Sequence, residues 1–213
     1  MEMNRQPARA ENGAKGAYYI ETFGCQMNVR DSETAAGLLE TLGYVPCQTK
    51  QEADVILFNT CCIRDHAEKR VFGNIGALKD QKDTNPNLIL GVFGCMMQQK
   101  EVAAKLFKRF PYVNIVFGTN LLSRLPSFIE GAEAGERTLA VEEGNIVIED
   151  TLPSVRTGKI NAFVNINYGC DNFCTYCIVP YVRGRERSRA PESILGEVER
   201  LVSEGYSEIT LLG

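Results

Sequence analysis

Three cysteines fall within a single short loop of the sequence "NYGCDNFCTYCIVPYVRGRERSR": Cys170, Cys174 and Cys177, spaced C-x3-C-x2-C. Three closely spaced thiolates suit a [4Fe–4S] cluster, which has four irons and takes one ligand per iron. With three protein ligands, one iron is left open to coordinate something else. Zinc is the rival, but a structural zinc wants four ligands, usually as two paired sets. No second C-x2-C pair exists in the chain.

Three further cysteines share a different setting. "AYYIETFGC", "ADVILFNTC" and "NLILGVFGC" are each a strand-like apolar run, then a small residue (Gly24, Thr60, Gly94), then Cys25, Cys61 or Cys95. Each is followed by a helical pattern. After Cys25, Asp31 and Ser32 are candidate N-caps, and Ala35, Leu38, Leu39 and Leu42 recur at helical spacing before Gly43. After Cys61 the stripe is Ala67, Val71, Ile75 and Leu78. After Cys95 it is Val102, Leu106 and Phe110. The fourth apolar run, "VNIVFG", fits another strand.

Strand–helix alternation implies a parallel sheet covered by helices. All strands of such a sheet end on one edge, where ligands sit. Cys25, Cys61 and Cys95 are therefore expected on one rim although far apart in the chain. Of the adjacent pair Cys61 and Cys62, Cys61 holds the position equivalent to Cys25 and Cys95. Neighbouring side chains on a strand face opposite ways, so Cys62 is expected to pack at the helix entry.

The elements divide the chain as follows. Residues 1–16 read as a flexible tail and 17–150 as a doubly wound parallel-sheet domain of α/β class. Within it, "LLSRLPSFIEGA" is a short helix and "TLAVEEGNIVIED" suggests a hairpin. Residues 151–159 read as a linker. From 160 to 213 a strand, the triplet loop, the amphipathic helix "PESILGEVERLVSEGY" and the strand "SEITLLG" form the first βαβ part of a βα barrel. Ile194, Leu195, Val198, Leu201 and Val202 make the apolar face of that helix. Ending on such a strand suggests a truncated piece of a longer enzyme, expected to be inactive alone.

Composition sets outer bounds. At 44% hydrophobic and 23% charged the chain is globular in character, and no apolar run approaches the ~20 residues of a membrane span. The first sixteen residues lack an apolar export signal, so a cytoplasmic, reducing compartment is expected and the eight cysteines are not a disulfide framework. A net charge of −4 gives no general attraction for nucleic acid. Any contact with RNA would need a local patch. Arg183, Arg185, Arg187 and Arg189 are the candidates, with a solvated loop as the equal alternative. His66, the one histidine, reads as solvated, and Cys47 as a packed or surface thiol. Gln26 and Asn28 either orient a ligand or cap the following helix.

At these residues the sequence resembles the radical S-adenosylmethionine (SAM) superfamily, whose hallmark is C-x3-C-x2-C at the first strand of a partial (β/α) barrel. More narrowly, it resembles the methylthiotransferases, which place a three-cysteine domain before the radical SAM core. "GCQMNVRDSE", "NTCCIRDHAEKRV" and the triplet segment look like the tRNA branch, the MiaB enzymes. The resemblance implies two [4Fe–4S] clusters, one on Cys25, Cys61 and Cys95 and one, with SAM on its open iron, on Cys170, Cys174 and Cys177. Tyr176 would lie against the SAM adenine. The implied reaction puts a methylthio group on carbon 2 of N6-isopentenyladenosine beside the tRNA anticodon. SAM cleaved by one electron, from a flavodoxin- or ferredoxin-type donor, would start it. The implied partners are tRNA and that donor, with no membrane, and the expected state is a monomer. The same chemistry on ribosomal protein, or a non-catalytic iron–sulfur or zinc RNA-binding module, are the alternatives.

Overall fold

The structure, a computed structural model, describes residues 13–62, 67–142, 152–156 and 158–213. Its first part is a six-stranded, all-parallel sheet. The strands are β1 (Gly16–Thr22), β2 (Tyr44–Pro46), β3 (Val55–Thr60), β4 (Ile89–Gly94), β5 (Ile115–Phe117) and β6 (Thr138–Ala140), in the order β2-β1-β3-β4-β5-β6. Helices cover both faces: α1 (Gln26–Thr41) and α5 (Leu125–Glu133) on one, α2 (Ala67–Ala77) and α4 (Lys100–Arg109) on the other, with the short α3 (Lys79–Thr84) following α2.

Burial on both faces explains why the central strands read as continuous apolar runs. Every residue of β3, β4 and β5 is buried. Alternation along them splits the core in two. Ile56, Phe58, Leu90, Val92 and Val116 pack with Val71, Ile75 and Leu106, while Val55, Leu57, Phe93 and Phe117 pack with Leu38, Leu39 and Phe128. Each fully buried side chain of this size contributes about 1.5–3 kcal/mol, so the sheet is a stiff base for whatever its strand ends carry.

The described residues begin at Gly13. Lys15 pairs with Glu133 at 2.7 Å, and Gly16 opens β1. The expected hairpin starts as β6, which pairs in parallel with β5 and so extends the main sheet. Its continuation, 143–150, lies outside the described residues, as do 1–12 and His66. Helix α1 starts directly after Cys25, which takes the N-cap position, so Asp31 and Ser32 lie inside the helix and do not cap it. The helix begins a full turn earlier than a cap at Asp31 would allow.

The second part holds β7 (Asn161–Asn165), β8 (Asn167–Tyr168), α6 (Val179–Val182), β9 (Arg187–Ser188), α7 (Pro191–Ser203) and β10 (Glu208–Leu212). β7 and β10 pair in parallel across α7, the opening βαβ of a barrel. A small antiparallel pair, β8–β9, is inserted and brackets the triplet loop. The buried stripe of α7 is narrower than the apolar residues suggest. Leu201 is buried and Ile194 and Val198 pack beside it, whereas Leu195 and Val202 are exposed.

The connector is fastened. Leu152 and Val155 pack against the α1 side of the core, and the Val155 amide donates to the Glu33 carbonyl at 2.9 Å. Beside it lies a buried ion cluster. Glu197 of α7 accepts from Arg156 (2.6 Å), Arg30 of α1 (3.1 Å) and Arg189 (2.6 Å), and Arg156 also bonds Glu33 of α1 (2.9 Å). Burial pushes the Glu197 carboxyl up, but the Arg189 bond and the three guanidinium charges outweigh it and hold the group below the ordinary carboxylate range. Charge therefore joins the sheet domain to the barrel start.

Candidate cysteine-lined active site

The sheet order places a switch point between β1 and β3. From β1 the chain first adds β2 on one side, then returns to add β3 on the other. Ligands of doubly wound sheets bind in the crevice at such a point, beyond the strand carboxyl ends. Cys25 is the third residue after β1, and Cys61 and Cys95 directly follow β3 and β4. All three line one cavity of about 420 Å3. Cys170 and Cys177 line the same cavity from the opposite side, so it is shared by five of the six cysteines singled out above. Cys174 is exposed and lies on the outer part of its loop.

An amide network behind the rim supports the first three cysteines. Asn28 and Asn59 are fully buried. Asn28 Nδ2 donates to Asn59 Oδ1 (2.8 Å) and the Thr60 carbonyl (3.2 Å), and its Oδ1 accepts from Cys25 Sγ (3.4 Å). Asn59 Nδ2 donates to the Asn28 carbonyl (2.8 Å) and Ser32 Oγ (2.9 Å). The residue before Cys95, Gly94, has φ +105, and a Cβ there would lie 2.4 Å from Asn59 Oδ1 and 2.5 Å from the Thr60 carbonyl. Only glycine lets β4 turn this closely beside β3.

Cys61 and Cys62 part company. Cys61 is buried and lines the cavity, whereas Cys62 packs against the core on the α2 side and donates to Cys95. That bond, with the nearby Arg183 guanidinium, outweighs burial and brings the Cys95 thiol down to about 7, and Cys62 is pushed up in return. A thiol lowered in this way is ready to bind metal as thiolate.

The triplet loop is held by backbone. The Cys170 amide donates to the Gly184 carbonyl (3.1 Å) and that of Cys177 to the Cys174 carbonyl (2.9 Å). Gly169 has φ +74, and a Cβ would meet the Arg185 carbonyl at 2.2 Å. Asn172 Nδ2 donates to Cys170 Sγ at 3.3 Å. Tyr176 is 90% exposed and is not among the residues that line the cavity. Gln26 is exposed, whereas Asn28 lines the cavity.

The four arginines after the triplet do not form a phosphate-facing row. Arg183 is buried against Asp31 (2.7 Å), and Arg189 belongs to the Glu197 cluster. Arg185 is exposed and pairs with Asp171 (3.0 Å), and Arg187 Nε donates to the Arg185 carbonyl (3.2 Å). The sequence offered Arg183 only as part of a basic patch and did not single out Glu197, because the partners that join them to α1, Asp31 and Arg30, lie more than a hundred residues away. The recurrence of arginine at every second position after the triplet was the available signal, and burial of Arg183 and Arg189 reverses its meaning.

None of the eight cysteines is joined in a disulfide. Among the described residues no three His, Cys, Asp or Glu side chains gather tightly enough to hold one metal ion. A cuboidal cluster makes a different demand, since each iron takes its own ligand and the sulfurs stand apart around it. Two sets of soft thiol donors on facing sides of one cavity fit that donor chemistry.

Fold and site define a class: a doubly wound sheet domain and a barrel opening that share one thiol-lined cavity. Two family models match these parts, an uncharacterized protein family, UPF0004, over residues 17–118 and the radical SAM superfamily over 164–213. Relatives named tRNA-2-methylthio-N(6)-dimethylallyladenosine synthase match most of the chain. That of Caldicellulosiruptor saccharolyticus is 54% identical over 95% of this chain and 43% of its own length. Those of Clostridium beijerinckii and Clostridium botulinum strain Hall are 47% and 52% identical, over 100% and 93% of this chain and 47% and 44% of theirs. Over nearly its whole length the chain is similar to part of these radical SAM methylthiotransferases. It spans less than half the length of these relatives. Radical SAM proteins use SAM and a [4Fe–4S] cluster. No described helix is long and apolar enough to cross a membrane.

Proposed function

We propose that the chain carries the cluster-binding part of a tRNA methylthiotransferase, working on N6-isopentenyladenosine in a reducing cytoplasm. One observation carries the reading: two sets of cysteines, each on its own structural module, open on a single cavity. Cys25, Cys61 and Cys95 would hold one [4Fe–4S] cluster, and Cys170, Cys174 and Cys177 a second, with Tyr176 against SAM. When bound, these groups supply the one-electron cleavage of SAM and the sulfur and methyl group that pass to the adenine.

The chain's own residues supply the rest. Asn28 and Asn59 fix the exits of β1 and β3, so that Cys25 and Cys61 face the cavity. Burial of Cys61 and Cys95, at 2% and 4% exposure, keeps water off that wall. A cavity of this size falls in the range of small-molecule sites. Relatives carrying the tRNA synthase name at about half identity support tRNA over ribosomal protein.

Anaerobic reconstitution with metal analysis tests the cofactor part: about eight irons per chain are expected, and stoichiometric zinc would refute it. Nucleoside mass spectrometry of tRNA from a deletion strain tests the substrate. Loss of the 2-methylthio nucleoside is expected, and unchanged tRNA with altered ribosomal protein would move the assignment to that substrate.

A further inference from the structure

One side chain reaches from the triplet module into the opposite cysteine set. Arg183 follows α6, six residues after Cys177, yet its Nε donates to Cys95 Sγ at 3.2 Å and its Nη2 to Asp31 Oδ2 of α1 at 2.7 Å. The guanidinium is buried, and although burial opposes its charge, Asp31 and Cys95 more than offset this. Next to it, Thr119 Oγ1 donates to the Val182 carbonyl at 3.0 Å, so α6 is docked on the sheet rim by two polar contacts. A guanidinium presents donors in a rigid fork, unlike the rotating ammonium of lysine. Held by Asp31, that fork fixes where its other arm points.

A hydrogen bond to a ligand sulfur orients the ligand and withdraws electron density from it, which favours the reduced cluster. We propose that Arg183 is a cross-domain positioning residue that sets the orientation of Cys95 and raises the reduction potential of the cluster held by Cys25, Cys61 and Cys95. The proposal rests on the cluster reading above. It makes the segment after the triplet part of the first cluster's surroundings, so the two sites are adjusted by one segment of chain.

The test uses the chain with Cys170, Cys174 and Cys177 replaced by alanine, so that a single cluster remains. After anaerobic reconstitution, iron per chain and the midpoint potential are measured for this parent, for Arg183→Lys, and for the double change Arg183→Gln with Asp31→Asn. The double change removes both charges together and avoids an unpaired buried carboxylate. The parent should hold about four irons. Both variants should melt like the parent but show a more negative potential, the double variant by more, or lose iron while folded. Unchanged iron and potential would overturn the proposal, as would unfolding of both variants, which would make the role purely structural. A parent without iron would instead overturn the cluster reading itself.

Discussion

Asn28 and Asn59 exchange hydrogen bonds across the exits of β1 and β3, each donating its side-chain nitrogen to the other residue at 2.8 Å. Both are fully buried, and no water replaces a lost partner cheaply. Asn59→Ala removes one of the two acceptors of Asn28 Nδ2 and both donations from Asn59, leaving the Asn28 carbonyl without that donor. A buried polar group left unpaired costs about 1–3 kcal/mol, so urea unfolding should show a loss in that range. Iron binding should fall with it, because Cys25 leans on Asn28.

Gly94→Ala should be similarly harmful. The backbone there is left-handed, and the added methyl group would meet both Asn59 and the Thr60 carbonyl. A strained residue costs about 1–3 kcal/mol, before the clash is counted. The melting temperature should drop and Cys95 should lose its place at the rim. Gly73→Ala, on α2 with nothing near its added carbon, is the control that should leave both unchanged.

Serine substitutions separate the neighbouring cysteines. Cys61→Ser should remove about four of about eight irons. Cys62→Ser should keep them, since Cys62 does not line the cavity. Iron analysis with the opposite pattern would assign ligation to Cys62.

Acid should loosen the joint between the modules. The Glu197 carboxyl is held below its ordinary value in the folded chain, so the folded state binds a proton there less readily than the unfolded state. Its contribution is complete above the unfolded carboxylate value of about 4.3. It is lost as pH falls from there through the lower folded value. Glu197→Gln should cost about 3 kcal/mol near neutrality, since three arginines lose their buried counter-charge. It should also flatten the acid limb of a stability-against-pH curve followed by circular dichroism.

Tyr176→Ala tests the proposed SAM contact. The ring is exposed, so stability and iron content should not change. Loss of one aromatic contact, about 1–1.5 kcal/mol, should weaken SAM binding by roughly tenfold, as read by equilibrium dialysis with the reconstituted protein.

Much of this was legible because parallel sheets write their pattern locally. The runs before Cys25, Cys61 and Cys95 announced three central strands, since burial on both faces requires continuous apolar sequence. Edge strands carry no such signal. β2 is three residues ending in Pro46, with only Tyr44 buried, and did not stand out, while the half-exposed β6 read as one arm of a hairpin and not as an edge of the main sheet. The cysteines were legible as two sets, but their meeting on one cavity depends on how the modules dock. That docking is made by Arg30, Arg156, Arg183 and Arg189 with Asp31, Glu33 and Glu197. Charged residues in a sequence read as surface unless their partners are known, and these partners come from distant segments.

The nature of that joint has a mechanical consequence. Apolar faces tolerate sliding, because one methyl group replaces another at little loss. Ion pairs at 2.6–3.1 Å do not, because each works over a narrow range of distance and direction. The connector and α7 thus act as a gauge block, fixing the interval between the two sets of cysteines.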